Sequence, residues 1–196
     1  GQKGRNLRLI REYMSGREYQ GTRYLLDRQK KTFYNLEYVF DEIPNKLLPF
    51  DYEAFAAYPG QVEAVVTNIH TGKAEYMTVP RDKSNYSVIV ASCALPILFP
   101  PVKIGNHYYL DGGLTDSIPY KRAVRAGCDK NIVVLTRERN YVKQTDKITK
   151  ASAWLYQRYP KVAEDLKLRA TRYNACMKEL LQLESEGKVF LIVPDN

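Results

Sequence analysis

Cysteine is scarce in this sequence, with three residues among 196, at positions 93, 128 and 176. They are odd in number and far apart, and no C-x-x-C pair or His/Cys cluster accompanies them. That pattern argues against structural zinc and fits the reduced thiols of a cytosolic protein. Histidine is scarcer, limited to His70 and His107. No apolar run approaches the roughly 18–20 residues that a membrane-crossing helix needs, and no secretory leader is visible. Internal repeats and low-complexity tracts are absent. The chain opens on Gly1-Gln2-Lys3-Gly4 rather than on methionine, which leaves open an expression scar, a processed end or a piece of a longer protein.

What remains is ordinary globular composition: 44% hydrophobic and 27% charged residues, enough for one sizeable core. The net charge of +8 is unevenly spread. Residues 1–31 hold nine Lys/Arg against three acids, a net +6, so the rest is nearly balanced. Such a basic segment suits either a solvated helix surface or a face that meets anionic headgroups or nucleic acid. No recognisable nucleic-acid motif supports the last of these, and none is expected as a partner.

The first 60 residues suggest short helices over 7–14, 24–31, 34–42 and 51–58, the third stopped by Pro44 and the fourth capped by Asp51. The texture changes at residue 61. Residues 62–69 (VEAVVTNI) and 74–79 form a hairpin through His70-Thr71-Gly72-Lys73. A buried helix over 84–94, capped by Ser84, closes at Leu95-Pro96. A second hairpin pairs 102–104 with 107–110 across Gly105-Asn106. Ser117 is positioned to cap a helix that ends at Gly127. Residues 131–136 read as a strand in the middle of a parallel sheet. A long amphipathic helix over 160–186 ends at Gly187, before a last buried strand over 189–193. Apolar strands separated by helices predict an α/β fold with a mostly parallel central sheet covered on both faces.

One carboxylate stands out. Asp111 ends an apolar, aromatic strand and is followed by Gly112 and Gly113. D-G-G is also a common turn. Its place at the exit of a strand in an α/β framework, where ligands usually bind, favours a site. The glycines would let the chain turn sharply and let another backbone or a substrate approach.

The flanking motifs make the reading specific. Ala91-Ser92-Cys93-Ala94-Leu95-Pro96, Phe99-Pro100-Pro101, Tyr109-Leu110-Asp111-Gly112-Gly113 and Asp116-Ser117-Ile118-Pro119 occur in that order, followed by the strand Ile132-Val133-Val134-Leu135. Together they resemble the second half of a patatin-like phospholipase domain, across about 45 residues. The resemblance implies a three-layer α/β/α domain spanning 1–196: a helical, lid-like part over 1–60, a sheet part over 61–136 and C-terminal helices with a last strand over 137–196. It also implies hydrolysis of lipid acyl esters by a Ser–Asp dyad, with Asp111 as general base, no cofactor and no metal. Gly112 and Gly113 are then the motif glycines.

The sequence departs from that family in one large respect. The nucleophile belongs in a G-x-S-x-G elbow, and no serine here has glycine two residues away on both sides. The glycine-rich oxyanion loop is missing too. Both lie in the family's N-terminal portion, so the nucleophile is expected outside these 196 residues, and the chain alone is expected to be inactive. Ser92 and Cys93, on an apolar helix beside Ala91 and Ala94, fit a packing role rather than a substitute nucleophile. His107 is expected to point away from Asp111. The basic segment and the sixteen tyrosines are compatible with peripheral membrane association of a cytoplasmic protein. Two other readings stay open: a non-catalytic membrane- or anion-binding module using residues 5–31, and a degenerate family member that kept the scaffold and lost the chemistry.

Overall fold

The computed structural model describes residues 2–27, 32–81, 86–145, 149, 151 and 154–195. By its internal contacts the chain divides into two compact units, Gly1–Val66 with Glu75–Asp111, and Thr67–Ala74 with Gly112–Asn196. The chain is mixed α/β.

The first unit opens on short, irregular helices. α1 (Arg5–Arg8) runs into a π-helical turn over Leu9–Tyr13, closed by Met14 N–H donating to the Leu9 carbonyl at 3.1 Å. α2 covers Thr22–Leu26; residues 28–31, where the sequence extends this helix, lie outside the described residues. Pro44 does not stop the third helix. The helix spans Tyr38–Leu47 as a π-helix with Pro44 inside, and Leu48 N–H reaches the Ile43 carbonyl at 2.8 Å. Proline removes one donor and crowds the preceding turn; widening to i→i+5 spacing lets the chain pass without breaking. α3 (Tyr52–Ala57) is capped as the sequence predicts, Asp51 Oδ1 accepting from Ala54 N–H at 2.9 Å. Tyr38, Ile43 and Leu48 form the core of this helical part.

The sheet that follows has four strands: β1 (Glu63–Asn68), β2 (Lys73–Thr78), β3 (Val102–Ile104) and β4 (His107–Asp111), in spatial order β2-β1-β4-β3. Both hairpins fall where the residues predict. β3 and β4 pair antiparallel, with Val102 opposite Tyr109. Gly105 takes the left-handed conformation, φ +58°, that a two-residue hairpin loop requires. The expected mostly parallel central sheet is corrected here: connections of two to four residues can join only antiparallel neighbours, and parallel pairing is seen elsewhere. α4 (Ser87–Ser92) packs on β3 and β4, burying Ala91 against Val66 and Tyr109. Ser84, the expected cap, lies outside the described residues.

The second unit holds the parallel pair. β5 (Asn131–Val134) and β6 (Val189–Ile192) lie in register, Asn131 opposite Val189. Val133, Leu135, Val189 and Leu191 bury one face against Tyr120 of α5 (Tyr120–Arg125) and Met177 and Leu180 of α6 (Pro160–Ser185). The other face is exposed: Ile132 is 70%, Val134 68% and Phe190 63% accessible. Among the described residues these strands are covered on one face. α6 starts at Pro160, whose missing N–H costs nothing in a first turn. The β1–β2 turn rests on this helix. Gly72 has φ +62°, and a Cβ there would fall 2.5 Å from Lys161 Cβ and 2.9 Å from Asp165 Oδ2. Both the conformation and the space exclude a side chain.

Candidate active site

Asp111 is the last residue of β4, and it is half-buried. Leu110, just before it, is fully buried, and Tyr109 is held by its hydroxyl donating to Glu75 Oε2 at 2.9 Å. The backbone of Asp111 is fixed independently of the ladder: its N–H donates to the Ala94 carbonyl at 3.0 Å. Ala94 itself is buried, two residues past the end of α4. The run Ala91 to Pro96 therefore serves to dock the end of α4 against the end of β4. Small residues permit that approach.

Cys93 shares this corner. It is open to solvent on one side, yet its pKa is pushed up, first by desolvation and then by the Asp111 carboxylate. The thiol stays protonated at neutral pH, which is the reverse of the thiolate a cysteine nucleophile needs. The buried packing role expected of Cys93 is corrected here, since its side chain is exposed, while its protonated thiol still argues against a nucleophile. Ser92 is the last residue of α4 and half-buried. His107, at the start of β4, is exposed, and its ring stands 6.3 Å from that of Tyr109.

The segment joining α4 to β3 carries the strain. Ile97 has φ +73°, the one non-glycine in the left-handed region among the described residues, and a β-branched side chain is poorly suited to it. The conformation is enforced by its neighbours. Phe33 N–H donates to the Leu98 carbonyl at 3.3 Å, Phe99 N–H to the Leu95 carbonyl at 3.0 Å, and the Phe99 ring stacks on Tyr34 at 5.5 Å. Strain of this kind is characteristically kept at working sites. The sequence reading missed Ile97, and nothing in its residue type signals it.

After Asp111 the chain forms a single 3-10 turn over Gly112–Leu114. Neither glycine is among the residues with positive φ, so a left-handed turn does not explain them. Gly112 is buried, and its carbonyl accepts from Asp116 N–H at 2.8 Å. The Gly113 carbonyl accepts from Ser117 Oγ at 2.8 Å and from Arg169 Nε at 3.0 Å. Ser117 is thereby committed backwards to the motif and does not cap α5, whose first turn has Pro119 at the cap position and no side-chain bond. Thr115 Oγ1 lies 2.9 Å from Thr67 Oγ1. This polar lattice fixes the turn that follows the carboxylate.

Among the described residues, no three His, Cys, Asp or Glu side chains converge as a metal site requires, and no helix is long and apolar enough to cross a membrane.

The family model for patatin-like phospholipase matches residues 3–124, which includes α4, both hairpins and the whole Asp-Gly-Gly turn. The chain belongs to the patatin-like phospholipase family. A second family model, a domain of unknown function (DUF6363), matches residues 159–196, that is, α6 and β6. No curated protein matches the chain. Members of that family are generally lipid hydrolases, esterases and phospholipases.

Proposed function

We propose that Asp111 is the carboxylate of a Ser–Asp dyad in a serine acyl hydrolase acting on lipid esters, and that the serine comes from sequence outside these 196 residues. The observation that carries the proposal is the double anchoring of Asp111. Strand pairing of β4 and the bond to the Ala94 carbonyl fix its backbone, in the segment matched to the family. A general base must be held this way to keep its angle to a hydroxyl through the reaction.

In the proposed reaction the Asp111 carboxylate accepts the serine Oγ proton as the oxygen attacks the ester carbonyl. The tetrahedral intermediate collapses, the alcohol leaves with a proton, and water then releases the acyl group by the reverse proton traffic. The oxyanion donors belong, like the serine, to sequence not present here. Gly112 and Gly113, tied by Ser117 and Arg169, fix the turn behind the carboxylate. The basic residues of the first 31 positions would favour an anionic bilayer surface, placing the enzyme beside its substrate.

The test compares this chain with a longer form of the protein that carries upstream sequence, using a p-nitrophenyl ester. The 196 residues alone should be inactive, and robust turnover from them would refute the assignment of roles. In the longer form, Asp111→Asn should remove nearly all turnover while the circular dichroism spectrum stays unchanged; near-normal rates would make Asp111 a turn residue only.

A further inference from the structure

The first unit holds a cavity of about 290 Å³, open to solvent on one side, that the hydrolase reading does not use. Its walls are aliphatic and aromatic. Val39 and Ile43 come from the π-helix, Phe50 and Phe55 from around α3, and Tyr86 and Ile89 from around α4. The rings brace one another: Phe40 stacks on Tyr86 at 5.6 Å, and Phe50 meets Phe55 edge-on at 5.8 Å. A cavity with rigid apolar walls is preformed for a ligand and loses little entropy on filling.

One charged residue lines this cavity. Arg5, half-buried, lies over the Phe50 ring with its guanidinium carbon 5.2 Å from the centroid. Its Nη2 donates to the Leu48 carbonyl at 2.7 Å and its Nε to the Pro49 carbonyl at 3.4 Å. Of the five guanidinium N–H groups, three are left for another acceptor. No carboxylate among the described residues forms an ion pair with it. A fixed, partly desolvated cation beside an apolar cavity is complementary to an anion carrying a hydrocarbon tail.

We infer that this cavity binds a single aliphatic chain ending in a carboxylate, of the class of medium-chain fatty acids, with the carboxylate on Arg5. Chain length follows from volume: at about 30 Å³ for each water-sized group, the space takes on the order of ten heavy atoms. The inference stands on the cavity alone, so binding and hydrolysis fail separately.

The experiment is isothermal titration calorimetry of the whole 196-residue chain with sodium decanoate below its micelle concentration. Octanoate, 1-decanol and decyltrimethylammonium are titrated in parallel. Decanoate should bind saturably at one per chain, and octanoate about 15-fold more weakly, since each methylene is worth roughly a factor of four. Decanol should bind about tenfold more weakly than decanoate, and decyltrimethylammonium not measurably. Arg5→Gln should bring decanoate down to the level of decanol and leave decanol unchanged. Ile89→Trp, which fills the cavity without touching Arg5, should abolish both, with folding of each variant checked by circular dichroism. Unsaturable uptake of several molecules per chain, equal affinity for decanoate and decanol, or unaltered decanoate binding in Arg5→Gln would each overturn the inference. No binding to the wild-type chain would overturn it outright, and would leave the role of Asp111 untouched.

Discussion

Replacing Gly72 by alanine tests the close approach of the β1–β2 turn to α6 in the second unit. Two costs add at this position. A non-glycine residue at φ +62° pays roughly 1–2 kcal/mol for the left-handed conformation, partly offset because glycine gives up more chain entropy on folding. The new methyl would also fall 2.5 Å from Lys161 Cβ and 3.4 Å from the Lys161 carbonyl carbon, so the first turn of α6 has to move. Overpacking of that kind costs about 1–3 kcal/mol, giving about 2–4 kcal/mol in all. At about 2–4 °C per kcal/mol for a chain of this size, the melting temperature should fall on the order of 5–15 °C, read at 222 nm by circular dichroism. Gly105→Ala is the control, since Gly105 has nearly the same φ, +58°, and a methyl added there would meet nothing within 4 Å; it should lose only about 2–4 °C. A Gly72→Ala,Lys161→Gly double variant should recover part of the loss despite the helix-weakening glycine. Equal shifts for Gly72→Ala and Gly105→Ala would refute the contact with α6.

Three further outcomes are expected. Ile97→Asn should raise the melting temperature by about 2–4 °C, because asparagine tolerates the left-handed region at about 1 kcal/mol less than a β-branched residue; a loss would mean that the exposed Ile97 side chain matters more than its backbone. Cys93 should alkylate slowly with iodoacetamide at neutral pH, and Asp111→Asn should move the midpoint of its rate–pH profile downward by removing the nearby negative charge. Site-resolved mass spectrometry reads this out, and an unmoved midpoint would separate the two residues. Asp165 is buried, with Oδ1 on Arg172 at 2.6 Å and Oδ2 without a partner among the described residues. Desolvation outweighs Arg172 and raises its pKa. The folded chain thus binds this proton more tightly than the unfolded one, so its contribution is complete below the ordinary carboxylate range and is lost as pH climbs through the raised value. The stability of Asp165→Asn relative to wild type should therefore improve from pH 3 to pH 7; a flat or opposite trend would contradict the raised pKa.

Local chemistry made much of this structure legible in the sequence. Gly105-Asn106 reads as a hairpin loop, Asp51 as the cap that starts a helix, and Gly187, at φ +71°, marks where α6 stops. Two features resisted because competing local hydrogen bonds decide them, and residue type does not say which bond wins. Pro44 reads as a helix stop unless the chain can widen to a π-turn, which local propensity does not encode. Ser117 reads as a cap, but the Gly113 carbonyl competes for its hydroxyl. The apolar strands suggested a mostly parallel sheet because residue type reports burial and not direction; the short connections carried the directional information. At the candidate site the sequence singled out Asp111 and its glycines. It could not single out Ile97, whose strain is imposed by bonds at Leu95 and Leu98.

The bare face of β5 and β6 sets how this chain behaves in a tube. Ile132, Val134, Phe190 and Ile192 form an adhesive stripe on a molecule whose net charge of +8 keeps copies apart. Colloidal stability is then a contest between that repulsion and the stripe. Salt decides it, since a Debye length of about 10 Å at 0.1 M shrinks to about 3 Å at 1 M. Dilute buffer should keep the chain dispersed, and concentrated salt should make it self-associate well before it unfolds. A lysine in place of Ile132 would blunt the stripe and add to the repulsion at once.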